Sequence, residues 1–117
     1  MILIDNIIYQ NLSLICPTYM GAIKEWQELP CINYICTDNS TARKLDGEEY
    51  LTHLVYKIDL FCDHEDDYMN FATKVDDTMQ SLGFKREQMT YLLEDTTHLV
   101  FYYSGYVDKN DYVYQNI

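Results

Sequence analysis

The segment at residues 50–62 constrains the fold of this chain more than any other part of the sequence. Its apolar residues occupy alternate positions: Leu54, Tyr56, Ile58, Leu60 and Cys62. The positions between them mix apolar and charged residues: Val55, Lys57, Asp59 and Phe61. Successive side chains of a strand point to opposite faces, so this pattern predicts a long strand in a sheet that is covered on one side.

An amphipathic helix is predicted directly after this strand. Its apolar residues recur every three or four positions: Tyr68, Ala72, Val75, Met79 and Leu82. This spacing places them on one helical face. We expect Asp63 to cap the helix, with an acidic first turn at the positive end of the helix dipole, and Gly83 to end it.

The remaining segments complete a small α+β domain. A helix is predicted at residues 5–15, a strand at 31–36, and a hairpin from strands at 88–93 and 98–107. Residues 19–30 are expected to form an irregular segment that Trp26 anchors. The sequence therefore predicts a single domain over 1–117: a four-stranded antiparallel or mixed sheet with helices packed on one face. The polar tail at 108–117 is expected to be flexible and to order only against a partner.

Residues 37–49 are predicted to form a long polar loop. They contain Asp-Asn-Ser and Asp-Gly turn chemistry, and thirteen residues are too many for a tight hairpin. Long loops in compact domains are usually functional or mobile. The alternative is a flexible hairpin tip without function. Our candidate partner-binding residues all come from this segment: Asp38, Arg43, Lys44, Leu45, Asp46, Glu48 and Glu49.

Composition narrows the classes of partner. The chain carries 12 tyrosines among its 117 residues and a formal net charge of −11. Tyrosines serve both contact surfaces and half-exposed strands, and the count alone leaves both possibilities open. The negative charge argues against a free-standing binder of nucleic acid or anionic membranes, because phosphate binding needs clustered basic residues.

The sequence offers little that points to catalysis. It contains no glycine-rich phosphate loop, nucleophile elbow or His-Glu-x-x-His motif, and we predict no catalytic residues, no metal site and no cofactor. The acidic run at 63–67 with His64 fits a capped helix start better than a metal site. A nucleophilic Cys62 beside His53 or His98 is a weaker alternative. The four cysteines have no zinc-ligand spacing, and we expect reduced, mostly buried thiols in a cytosolic protein without a signal peptide.

One ordered series of motifs resembles a known family. Residues 21–30 (Gly-Ala-Ile-Lys-Glu-Trp-Gln-Glu-Leu-Pro) lead directly into Cys-Ile-Asn-Tyr at 31–34, and Asp-Asn-Ser follows at 38–40. The long strand and the acidic helix start come next. This order resembles the small tail terminator proteins of long-tailed phages, also called tail completion or minor capsid proteins. The resemblance covers residues 1–107; the cysteines at 31, 36 and 62 depart from it.

The resemblance implies a structural virion protein rather than an enzyme. In such a family six subunits close into a ring at the head-proximal end of the tail tube, where the ring ends tube polymerisation and joins tail to head. The expected partners are other copies of the chain, the tail tube protein and the head-connector or stopper protein, with no membrane. DNA passes through the lumen without specific binding. Tyr50, Tyr102 and Tyr106 are the expected subunit-contact aromatics.

Two other classes of function remain open at this point. The chain could be a different head–tail joining component, a stopper or completion factor. It could also be a small acidic cytosolic module that binds or inhibits a basic partner. The position of the protein in a particle separates the first class from a terminator, and stable capture of a host protein indicates the second.

Overall fold

Two helices and six strands make up the described part of the chain. The computed structural model describes residues 1–21, 28–93 and 96–117, so the predicted anchor Trp26 lies outside the described residues. In chain order the elements are α1 (Asp5–Leu12), β1 (Thr18–Met20), β2 (Cys31–Leu45), β3 (Glu48–Cys62), α2 (Tyr68–Leu82), β4 (Lys85–Leu93), β5 (Thr97–Asp108) and β6 (Val113–Tyr114).

The strands form one mixed sheet in the order β1-β2-β3-β5-β4, with β6 added to β5. Strand β1 runs parallel to β2, and the other pairs are antiparallel. The predicted α+β class with a mixed sheet is confirmed, but the count of four strands is too low. Strands β1 and β6 were missed because three and two residues are too few to show an alternating pattern.

The core lies on one face of the sheet, as the alternation in β3 predicts. The alternating apolar residues of β3 are all buried, and Val75 and Met79 of α2 and Ile8 and Leu12 of α1 pack into the same cluster. The helix stripe predicted for α2 is therefore confirmed. Burial of these side chains supplies the main favourable free energy of folding.

Two tyrosine–aspartate hydrogen bonds attach the helices to that face. The hydroxyl of Tyr56 donates to Asp5 Oδ1 of α1 at 2.6 Å, and that of Tyr103 donates to Asp76 Oδ1 of α2 at 2.9 Å. Tyr56 and Tyr103 are directly opposite in the β3–β5 ladder, so their side chains share one face. Both helices therefore cover the same side of the sheet. Burial, together with the adjacent carboxylates, raises the pKa of each phenol and keeps it a donor.

The start of α2 differs from the prediction. The N-cap is Asp67, whose carboxylate accepts from the backbone N–H of Asn70 at 3.2 Å. Asp63 instead begins a separate turn, in which the N–H of Asp66 donates to its carbonyl at 2.9 Å. Gly83 ends the helix as predicted, in a left-handed conformation with φ of 109° that favours glycine. Helix α1 ends at Leu12, three residues short of the predicted boundary.

The C-terminal tail contains a short strand that the sequence did not predict. Strand β6 pairs with β5 through Val113 and Val107. The carboxylate of Asp108 accepts from the backbone N–H of Tyr112 at 3.1 Å and closes the turn between them. Gly105 makes room for this packing, since a Cβ there would lie 2.7 Å from Val113 Cγ1. Residues 113 and 114 of the tail therefore pair with the chain's own sheet.

The attachment of α2 to the sheet is testable with Tyr103→Phe. The variant removes one buried hydrogen bond, while Asp76 keeps its contacts with Arg86 and Gln80. We expect a loss of about 1 kcal/mol in the free energy of unfolding, measured by urea denaturation. Tyr102→Phe is the matched control, since this neighbour lies on the opposite face and should leave stability unchanged. Equal losses in both variants would contradict the assignment.

The burial of two thiols leads to a second prediction, about their reactivity. Burial raises the pKa of Cys16 to about 11 and that of Cys62 to about 12, from 9.0. Because the neutral thiols are favoured in the fold, their contribution to stability is present below pH 9 and is lost as the pH rises through 11 and 12. At pH 9.0 we expect iodoacetamide to modify both cysteines far more slowly in the folded chain than in urea, measured by peptide mass spectrometry. Similar rates in both states would refute this.

Candidate functional site

The segment predicted as a loop is a paired β-hairpin, and this corrects the prediction for residues 37–49. The ladder between β2 and β3 continues to the pair Leu45–Glu48, and only Asp46 and Gly47 form the turn. Both turn residues have positive φ, 53° and 81°, as a two-residue hairpin turn of type I′ requires. The Asp-Gly pair was visible in the sequence. The strands beside it were missed because they have no core on either face and hence no hydrophobic alternation.

This hairpin extends beyond the packed body. We call residues 37–51 the arm and residues 43–50 its tip. Strand β5 follows β3 only as far as the pair Leu51–Asp108, and β1 pairs with β2 only at residues 32–34. The tip therefore extends past both neighbouring strands. The protein is elongated accordingly, with extents of 53 × 25 × 23 Å.

Three register shifts shape the arm. Thr37, Ala42 and Tyr50 are each the extra residue on one strand of the β2–β3 ladder. Bulges of this kind bend a strand and increase its right-handed twist. Tyr50, a predicted subunit-contact residue, thus lies at the base of the tip without a cross-strand partner, and it is half-buried.

Four of the predicted partner-binding residues remain available at the tip. Arg43, Lys44, Leu45 and Asp46 are exposed, with Leu45 at 66%. Among residues 1–21, 28–93 and 96–117, no carboxylate lies within 4 Å of Arg43 or Lys44. The tip therefore presents two unpaired cations beside an exposed leucine.

The other three predicted residues have partners within the chain. Glu48 accepts from Lys109 Nζ at 3.1 Å. Asp38 lies at the base of the arm, opposite Val55, and its Oδ2 is 3.1 Å from His53 Nδ1. Glu49 accepts from the hydroxyl of Thr52 and from that of Thr41 at 2.7 Å.

These contacts give Glu49 a structural role. The hydrogen bonds from Thr52 and then Thr41 lower the pKa of its carboxyl, and the ammonium group of Met1, 3.6 Å away, acts in the same direction. Glu49 thereby connects the N-terminus and both strands of the arm. These contacts hold the two strands of the arm together.

The predicted aromatic contacts are spread along the sheet rather than gathered. Tyr102 and Tyr106 lie on the face opposite the helices, half-buried, opposite Lys57 and His53 in the ladder. The rings of His53 and Tyr106 are 4.9 Å apart. The structure brings neither tyrosine to the arm tip.

A histidine–aspartate pair that the sequence did not predict lies on the same open face. His98 Nε2 lies 2.7 Å from Asp59 Oδ1, and the His98 ring stacks on Phe61 at 4.1 Å. Both groups occupy non-core positions of neighbouring strands. Alternation could have placed each on this face, but only the strand register shows that they meet.

The structure does not bring together the cysteine and histidine side chains of the catalytic alternative. His53 lies opposite Tyr106 and His98 opposite Phe61, which separates the two histidines by eight positions along β3, a distance of about 26 Å at the rise of a strand. Cys62 is buried on the core face, whereas His98 lies on the other face. Within the part of the chain that the structure describes, no three His, Cys, Asp or Glu side chains are placed to hold a metal ion.

Comparison with known proteins does not assign the chain to a family. No known protein family matches the sequence, and no curated protein is significantly similar to it. Over the described residues, no helix combines the length and the apolar character needed to cross a bilayer.

The turn at the tip makes a prediction about the arm. No atom lies within 4 Å of a Cβ built at Gly47, so Gly47→Ala acts through its positive φ alone. We expect a loss of about 1 kcal/mol in stability and faster hydrogen exchange confined to residues 43–50. Asp46→Asn is the control, since asparagine tolerates this conformation. Unchanged exchange at the tip in Gly47→Ala would contradict the turn geometry.

Proposed function

We propose that this chain is a tail terminator subunit of a long-tailed phage. Several copies, six in the family that its sequence resembles, would close a ring at the head-proximal end of the tail tube. The ring ends tube polymerisation and joins the tail to the head. The observation that carries the proposal is the arm, a stiff hairpin that extends past the packed body and ends in unpaired cations.

A ring requires a heterologous contact, in which one surface of a subunit meets a different surface of the next. The arm provides the first of these surfaces. It is stiffened by the β2–β3 ladder and by the Glu49 contacts, so little conformational entropy is lost when it docks.

The distribution of charge is consistent with such a contact. Strand β3 begins at Glu48 in the tip, which carries Arg43 and Lys44 beside Asp46, Glu48 and Glu49, and ends at Cys62, directly before the acidic run at 63–67. Arg43 and Lys44 therefore lie at one end of the sheet and Asp63 lies at the other. The two tip cations can pair with the acidic run of a neighbouring copy, and such a contact favours head-to-tail association.

The negative net charge of the chain is also compatible with a ring through which DNA passes. At −11 per subunit, a ring would present a strongly acidic assembly. Such a lumen repels phosphates, so DNA passes without being held. The proposed partners are thus other copies of the chain, the tail tube protein and the head-connector or stopper protein.

Deletion of the gene from a phage that carries it tests the proposal by electron microscopy of lysates. A terminator predicts abnormally long, headless tails beside DNA-filled heads. Tails of normal length without heads would instead indicate a stopper or completion factor. Particles of normal appearance would show that the protein is not needed at the head–tail junction, and this outcome would favour an acidic binding module.

Complementation of the deletion isolates the arm. Arg43→Glu combined with Lys44→Glu should fold normally yet fail to restore joined particles, because the tip then repels an acidic neighbour. Lys74→Glu with Lys85→Glu is the matched control, as it makes the same change of charge elsewhere. We expect the control to restore plaques. Full rescue by the arm variant would show that the tip cations are not used.

A further inference from the structure

Strand β4 is an unusual sheet edge for a soluble protein. In the described part of the chain its only strand partner is β5, so its outer edge presents unpaired backbone groups. Natural edges are usually protected by proline, by charge or by a bulge. Here the charges and the one bulge are confined to residues 85–87. The following run, Gln-Met-Thr-Tyr-Leu-Leu at 88–93, carries no charge and no proline.

The side chains at this edge are apolar and exposed. Met89 is 37% exposed, Tyr91 50% and Leu92 38%. Met89 and Tyr91 lie on the helix-covered face, opposite Phe101 and Leu99 in the ladder. They therefore line the open side of the core.

A groove runs beside the edge, between β4 and α2, and its lining is apolar except for Thr73 and the Asp76–Arg86 ion pair. Met69 of α2 lines it at 64% exposure, together with Met89 and Tyr91. The Tyr91 ring packs edge-on against Tyr68, with 6.1 Å between ring centroids. An added strand would complete the β4 ladder and place its inward side chains in this groove.

The chemistry of the groove selects the strand that fits it. The free edge of β2 at 37–44 is polar, with Asp38, Arg43 and Lys44, and β1 has only three residues. Within the uncharged run, strand β4 has the apolar side chains of Met89 and Tyr91 at inward positions. Antiparallel pairing of two β4 strands keeps both helix-covered faces on the same side. Met69, Met89 and Tyr91 of both copies then meet in one apolar cluster.

We propose that two copies of this chain associate through their β4 strands, antiparallel, and fill each other's groove between β4 and α2. The contact is isologous and closes at two copies. It is separate from the arm and does not rest on the function proposed above. One edge strand and one groove form a small interface, so the dimer dissociates with a Kd on the order of micromolar.

Sedimentation across a range of protein concentrations tests the dimer. We expect Tyr91→Lys to raise the dimer Kd by about tenfold or more, because it places a charge at the pairing edge. Met20→Lys is the matched control at the other edge of the sheet, where the side chain is 65% exposed. It should leave the Kd within about twofold. A monomer at every concentration, or a dimer unaffected by Tyr91→Lys, overturns the proposal.

A second measurement does not depend on how Tyr91→Lys folds. Thr90 lies near the middle of the uncharged run, so Thr90→Cys should form a disulfide-linked dimer on mild oxidation. Thr37→Cys, on the exposed edge of the arm, should not. Cross-linking through residue 37 instead of 90 would assign the contact to the arm and overturn the β4 pairing.

Discussion

The structure depends on strand β3 being paired along nearly its whole length on both sides. Its ladder with β2 runs from Glu48 to Phe61, and its ladder with β5 from Leu51 to Cys62. One face of this strand holds the core and both helices, and the other stays open. Since a shift of one residue would exchange the two faces, the alternation in β3 sets the register of the entire sheet.

The same ladders explain how a polar segment can be ordered. The arm gains little from burial, yet its backbone hydrogen bonds continue those of the core strands. Glu49 adds a polar junction between the N-terminus and both strands. Because the ladder continues from the packed body into the arm, the tip is held in place without a core of its own. A surface of this kind can keep charged groups unpaired for a partner, whereas a buried one could not.

The open parts of the molecule divide into three chemically different surfaces. The arm tip carries charges of both signs, the β4 edge at 88–93 is uncharged and largely apolar, and the open sheet face carries the His98–Asp59 pair beside aromatic rings. Different surfaces suit different partners, since charge governs orientation and apolar area governs affinity. Such a division is consistent with a subunit that meets several neighbours.

The sequence by itself determined the long strand, the apolar stripe of α2, the end of α2 at Gly83 and the one-sided core, because each follows from local periodicity or turn chemistry. It also contained the Asp-Gly turn, but it could not show that thirteen polar residues pair as strands. Strands β1 and β6, the Tyr56–Asp5 and Tyr103–Asp76 bonds and the His98–Asp59 pair were decided by tertiary structure. Strands β1 and β6 are too short to show a pattern, whereas each of the three side-chain pairs joins residues far apart in the chain, which only the register of the completed sheet and the packing of the helices on it bring together.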